Sequence, residues 1–82
     1  MAQGWFATPV AVTVGIFGGV RNIISARQAD ELLRERLRYG GSTKMLAAHH
    51  ACRAAMEDEA KAEAARTAFI EAAREAHLFS GN

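Results

Sequence analysis

The chain has 82 residues, half of them apolar, and its ten basic and nine acidic side chains leave a formal net charge of +1. This length gives one small domain, residues 1–82, and the near-neutral charge gives no indication of a nucleic-acid or membrane partner. The single cysteine excludes a disulfide framework within the chain and is typical of proteins in a reducing compartment, so we expect a cytoplasmic location.

The uncharged segment from Trp5 to Val20 is the part of the chain that most resembles a signal or membrane segment. A secretory signal needs a basic start and a smooth apolar run. Here no Lys or Arg comes before Arg21, and Pro9 and three glycines interrupt the run. The run is also too short to cross a bilayer, so we expect no leader and no membrane partner.

The first predicted element is an antiparallel β-hairpin. Valines alternate with small or polar residues across residues 9–14, which is the period of a strand with one buried face, and Pro9 stands at its first position. Glycines across residues 15–19 predict the turn. A second β-branched run, residues 20–24, supplies the returning strand.

Helices follow the hairpin in the predicted order. The first covers residues 26–39, capped by Ser25 and ended by a pair of glycines. The second covers residues 43–57 and the third covers residues 60–78, although no glycine or proline separates them, so a single long bent helix is the alternative. We therefore predict an α+β fold, an N-terminal hairpin packed on two to three α-helices in the order β-β-α-α-α.

The predicted core is thin. A two-stranded hairpin is marginal in water by itself, and alanine-rich helix faces bury little area each. Unpaired strand edges add to this and predict that a partner completes the fold. Pairing of two hairpins across a two-fold axis would give a four-stranded sheet, so we expect a homodimer.

An ordered set of residues along the chain resembles the pattern of a known family. The first half contributes Trp5, Pro9-Val10, Ile24-Ser25, Ala29 and Leu33, and the second half contributes Ala48 to Cys52, Ala55-Met56, Ala65-Arg66, Ala68-Phe69, Ala72-Ala73 and Ala76. Over most of its length the chain is similar to short alphaproteobacterial, mainly rhizobial, proteins catalogued as domain of unknown function 982. The resemblance implies an independently folded small domain and supplies no activity, cofactor or catalytic residue.

Two positions depart from that family pattern. Family members often carry Trp-Pro near the end of the first helix, where this chain has Arg38-Tyr39. They also often carry a glycine after the second helix, where this chain has Glu57-Asp58. Because no glycine follows the second helix, the second departure makes the separation of the last two helices less certain from the sequence.

The one cluster with metal-ligand chemistry is His49, His50 and Cys52, with His77 as a further histidine elsewhere. Structural zinc takes four ligands, usually as pairs of Cys or His, and no second pair is visible, so we expect no metal ion and no other cofactor. His49 and Cys52 also have the spacing of a base and a nucleophile on one helix face. A domain this small rarely encloses a substrate pocket, so we prefer a buried thiol beside a surface histidine and expect no enzymatic activity.

Charge is distributed unevenly along the chain. Residues 25–53 carry six basic and three acidic side chains, and residues 54–82 carry three basic and six acidic side chains. Opposite charge on the two halves favours helix pairing within the chain or association between subunits. Acidic residues interleave with the arginines of the first helix, which is typical of a solvated helix face.

We therefore predict a small non-enzymatic module for protein–protein interaction that self-associates and binds a further, unidentified protein partner. The alternative is a nucleic-acid-associated regulatory protein that uses the arginines of the first helix. The candidate interaction surface comprises Trp5, Phe17, Arg27, Arg34 and Arg38.

Overall fold

The computed structural model describes residues 3–14, 19–38 and 40–78. Its elements are strands β1 (Trp5–Val14) and β2 (Gly19–Ser25), helices α1 (Ala26–Leu37), α2 (Thr43–Glu57) and α3 (Ala62–Glu75), and a 3-10 turn (Glu59–Lys61) between the last two helices. The two strands form an antiparallel sheet of their own. The expected α+β class and the β-β-α-α-α order are confirmed.

Strand β1 is longer than the sequence predicts. It begins at Trp5 and not at Pro9, and Trp5 lies opposite Ser25 while Val10 lies opposite Ile23. Four residues of β1 therefore face a single residue of β2, and the ladder is irregular between those two pairs. Pro9 falls in this irregular part, where its missing N–H removes no regular ladder bond.

Helix α1 starts directly after β2 with the predicted cap. The Ser25 hydroxyl accepts a hydrogen bond of 3.2 Å from the Gln28 N–H. The Gln28 side chain accepts from the Ile24 N–H, one residue before the usual reciprocal position of a capping box. The helix ends at Leu37, ahead of the predicted end at residue 39, and Gly40 follows with a φ of 93°.

Asp58 separates α2 from α3, so the single bent helix is excluded. Its backbone is extended (φ −146°, ψ 106°), and its own N–H closes α2 by donating to the Ala54 carbonyl at 3.0 Å. The Asp58 carboxylate then accepts from the Ala60 N–H at 3.1 Å and opens the following 3-10 turn. The Asp58 side chain thus helps to end one helix and start the next, where a glycine or proline usually interrupts the helix.

The third helix ends three residues before its predicted limit, in a Schellman motif. His77 adopts a φ of 61°, and its N–H donates to the Arg74 carbonyl at 3.1 Å. The Leu78 N–H donates to the Ala73 carbonyl at 2.7 Å. These two bonds satisfy carbonyls at the end of α3, with histidine in the left-handed position that glycine usually takes.

The core lies between the inner face of the hairpin and the three helices. Among the described residues, eight of the sixteen buried apolar residues are alanines, and Phe69 is the largest side chain that is fully buried. Val10 and Ile23 cover one another across the sheet on the buried face. Because alanines bury little area, the few large side chains supply much of the hydrophobic stabilisation.

The N-terminal segment is bound between helices. The Gly4 carbonyl accepts from the Ala26 N–H at 2.8 Å, and the Gly4 N–H donates to the Glu59 carboxylate at 3.1 Å. Gly4 has a φ of 66°, and a Cβ built on it would lie 2.7 Å from the Ala26 Cβ and 3.3 Å from the Ala55 Cβ. This contact ties the start of β1 to α1, to α2 and to the turn before α3.

Candidate functional site

The hairpin carries most of the exposed large apolar side chains of the described residues. Val20 is 63% exposed, Trp5 is 55% exposed and Ile24 is 38% exposed, and Leu46 on α2 is the one such residue outside the hairpin. Trp5 is therefore presented to solvent and does not plug the hairpin onto the helices. Phe17, the other aromatic of the predicted surface, lies outside the described residues.

The outer edge of β1 is covered by the last part of the chain. The Thr13 N–H donates to the Leu78 carbonyl at 2.7 Å. Arg66 on α3 donates from Nε to the Thr8 carbonyl at 2.9 Å. These two bonds occupy main-chain groups that a further strand would need, so β1 is a poor site for strand addition.

The outer edge of β2 presents main-chain groups to solvent, as the alternation of hydrogen-bonded and non-hydrogen-bonded pairs in the hairpin shows. The Thr13 N–H points away from the ladder, so Thr13 and the opposite Val20 form a non-hydrogen-bonded pair, and the N–H and C=O of Val20 also point outward. By alternation, those of Asn22 and Ile24 point outward too. The Gln28 side chain occupies the Ile24 N–H, but no bond to the Val20 or Asn22 main chain is found within the described residues.

Three arginines of α1 and its C-terminal cap, Arg27, Arg34 and Arg38, each lie near a carboxylate of α1, whereas no ion pair is found for the exposed Arg36 within the described residues. Arg27 Nε lies 3.8 Å from Glu31 Oε2, Arg34 Nε lies 3.2 Å from Asp30 Oδ2, and Arg38 Nη1 lies 3.7 Å from Glu35 Oε2. The exposed side of α1 consequently alternates in charge and forms no continuous basic stripe. The pairs of Arg27 and Arg38 are exposed on both sides and contribute little stability each, so these two arginines stay available for other contacts, whereas Arg34 is held by the buried Asp30.

Two concave regions adjoin these arginines. An open cleft of about 580 Å³, which we call the α1 cleft, is lined by Glu31, Arg34, Glu35, Leu37 and Arg38. A smaller groove of about 180 Å³ between α1 and α2 is lined by Arg27, Asp30, Arg34, Arg53, Met56 and Glu57. Three arginines against two carboxylates leave this groove with a small positive excess. The structure thus brings Arg27 and Arg34 together with Arg53 and places Arg38 in the other concavity.

Asp30 is a buried carboxylate that the sequence pattern does not identify as a candidate site residue. It is 2% exposed, and both of its oxygens are occupied, Oδ1 by His49 Nδ1 and Oδ2 by Arg34 Nε. Because a carboxylate oxygen accepts, the Nδ1 atom of His49 carries the proton of that bond. The cluster links α1 to α2 and satisfies a carboxylate that would otherwise be costly to bury.

The predicted histidines do not assemble into a ligand set with Cys52. The rings of His49 and His50 lie 5.7 Å apart at an angle of 51°, while His77 terminates α3. Across residues 3–14, 19–38 and 40–78, no three His, Cys, Asp or Glu side chains come together as a metal site. His49 is directed at Asp30, and it is not hydrogen-bonded to Cys52 within the same ranges.

Cys52 is fully buried on α2, and this burial raises the pKa of its thiol from 9.0 to about 12, with the charge of Asp30 acting in the same direction. A nucleophilic cysteine needs a low pKa and access to solvent. Cys52 has neither, because the thiol stays protonated at neutral pH. Cys52 therefore belongs to the hydrophobic core and has the properties of a structural cysteine.

We expect Cys52 to react with iodoacetamide far more slowly in the native protein than in the unfolded protein. Raising the pH toward 9 should accelerate alkylation in both states, because the buried thiol reacts only when the native protein opens transiently, and the native rate should stay far the slower at each pH. The same shift makes native stability decline between about pH 9 and pH 12, because the unfolded state releases the thiol proton first. Mass spectrometry of timed, quenched samples with and without urea measures both rates. Equal rates in the two states would contradict a buried thiol.

Comparisons with known proteins identify a family and nothing narrower. The model of a family described as "Protein of unknown function (DUF982)" matches residues 8–80. No curated protein and no solved structure matches the chain. None of the helices in the described ranges combines the length and the apolar composition that crossing a bilayer requires.

Proposed function

This chain belongs to DUF982, a family whose proteins are described as being of unknown function, and from its surface we propose a non-enzymatic protein–protein interaction module. The module self-associates as a homodimer through the outer side of its hairpin. The helix surface outside that interface then stays free to bind a further protein. We assign it to the bacterial cytoplasm, in keeping with its family resemblance and with a single unpaired, buried cysteine.

The observation that carries this proposal is the difference between the two edges of the hairpin. The β1 edge is occupied by hydrogen bonds to Arg66 and Leu78, whereas the main-chain groups of Val20 and Asn22 on the β2 edge have no partner among the residues that the structure describes. Val20 and Ile24 add exposed apolar side chains on the same strand. Strand addition to such an edge gains main-chain hydrogen bonds and buries apolar area together.

Nucleic-acid association receives less support from the surface. Arg27, Arg34 and Arg38 alternate with carboxylates within 4 Å, so a phosphate backbone would meet both signs of charge along α1. The groove between α1 and α2 has a positive excess of one charge, which is small for a nucleic-acid surface.

A single lysine on the hairpin should abolish the dimer. We expect the unaltered protein to have the mass of a dimer, and V20K to move toward the monomer mass because a charge would be buried against the partner strand. Size-exclusion chromatography with light scattering over a tenfold concentration range measures both.

L46K is the matched control, because Leu46 is also an exposed apolar side chain but lies on α2, away from the hairpin. It should remain a dimer under the conditions that dissociate V20K. A monomer mass for the unaltered protein at every concentration overturns the proposal. A dimer mass for V20K would move the interface away from the hairpin, and equal dissociation of L46K and V20K would contradict an interface confined to the hairpin.

A further inference from the structure

We infer that the partner at the β2 edge is a second copy of this chain, paired antiparallel about a two-fold axis that passes beside Asn22. This inference rests on the proposed self-association and adds the register of the interface. It gives a continuous sheet in the order β1-β2-β2-β1 across the dimer. Asn22 then lies opposite its own copy, and Val20 lies opposite the partner's Ile24.

Hydrogen bonding supports this register. The main-chain groups of Val20, Asn22 and Ile24 all point outward, so all three residues fall in hydrogen-bonded pairs when Asn22 is central. The two copies of Asn22 exchange two bonds. Each Val20 N–H donates to an Ile24 carbonyl, while the Ile24 N–H keeps its bond to Gln28 and the Val20 carbonyl gains no partner, so the pairing has four main-chain hydrogen bonds. The register uses the open part of the edge without displacing an existing bond.

Side-chain pairing selects the same register. With Asn22 central, the exposed side chains of Val20 and Ile24 become direct cross-strand neighbours, and both leave water. A register one residue earlier would place Arg21 directly opposite its copy, and facing like charges destabilise a sheet. A register one residue later would place Ile24 opposite Asn22 and leave Val20 exposed.

The helices favour a copy of this chain over an unrelated protein. A three-residue edge is too small for a stable interface, which needs about 800 Å² from each partner. Helix α1 begins directly after β2 and contacts it, so in the proposed dimer we place α1 next to the α1 of the second copy. Its outer side alternates in charge, as at Arg34 and Glu35, so two antiparallel copies present arginine to carboxylate. We therefore include the α1 cleft in the interface.

Cysteine cross-linking tests the register on the full chain. N22C places two thiols on the same face of directly opposite residues, about 5.5 Å apart between Cα atoms, which is within the range that a disulfide spans. We expect N22C to give more than half covalent dimer with a mild oxidant or a short bifunctional thiol reagent. A47C, an exposed site on α2, is the control and should give at least fivefold less. The native Cys52 is buried and sets the background.

Each outcome is informative when the mass of each variant is measured by light scattering. Efficient linkage of N22C with little linkage of A47C supports the register. Efficient linkage of R21C and weak linkage of N22C would overturn it in favour of the earlier register. A dimer mass without linkage at either hairpin position overturns the register and leaves self-association standing. A monomer mass overturns both.

Discussion

F69A is expected to lower the free energy of unfolding by about 3–5 kcal/mol, the usual cost of removing a buried aromatic ring. A domain of this length has about 4–12 kcal/mol in total. Phe69 is the largest fully buried side chain, and the alanines around it have few atoms with which to refill the space. The substitution should therefore remove at least about a quarter of the total stability.

Urea unfolding followed by circular dichroism measures this loss, at one fixed protein concentration because dimer stability depends on concentration. F69L keeps most of the volume and should cost less than about 1.5 kcal/mol, which separates loss of packing from failure to fold. I70A is the matched control on the neighbouring, half-buried residue. A loss for F69A no larger than that for I70A would contradict the central place of Phe69 in the core.

G4A is expected to lower the free energy of unfolding by about 2–4 kcal/mol, although it adds only one methyl group. The left-handed φ of 66° costs about 1 kcal/mol for a residue with a Cβ. The new methyl group would also lie 2.7 Å from the Ala26 Cβ, which is attached directly to the helix backbone. Neither group can rotate away, so the N-terminal segment must shift, and overpacking of this kind costs about 1–3 kcal/mol.

G40A is the matched control for backbone strain, because Gly40 has a φ of 93° and a Cβ on it would meet nothing within 4 Å. It should show the conformational cost alone, and thermal or urea unfolding of the two variants gives the steric part by difference. The loss should be accompanied by faster amide exchange at Ala26, whose N–H donates to the Gly4 carbonyl. Equal destabilisation by both variants would show that the close contact at Gly4 is relaxed without cost.

Features set by short-range pattern could be predicted from the sequence. The valine alternation gave one buried face to the hairpin, and the Ser25 cap fixed the start of α1, because both depend on residues within one or two turns. The break between α2 and α3 at Asp58 does not follow from the sequence, since no glycine or proline interrupts the helical pattern there and the cap depends on one side-chain rotamer. The early start of β1 depends on the docking of Gly4 against α1 and α2, which no local pattern encodes.

The candidate site divides in the same way. The arginines of α1 could be named from residue type and spacing, but the exposure of Trp5 could not, because the sequence favoured an aromatic side chain packed between the hairpin and the helices. Asp30 could not be named, because it stands among the charged residues of α1. Its burial depends on contact with His49 of α2, which is nineteen residues away in the sequence. The open β2 edge was likewise hidden, since it follows from which edge Arg66 and Leu78 cover.

The covered edge of β1 would also limit the number of copies that can join in the proposed assembly. A sheet with one open edge adds a single neighbour through a two-fold axis, and the resulting pair has no open edge left. If Arg66 and Leu78 did not occupy β1, each copy could accept a strand on one side and offer one on the other, and head-to-tail growth would have no end point. In the proposed assembly, the hydrogen bonds of Arg66 and Leu78 to β1 would therefore limit growth to a closed dimer.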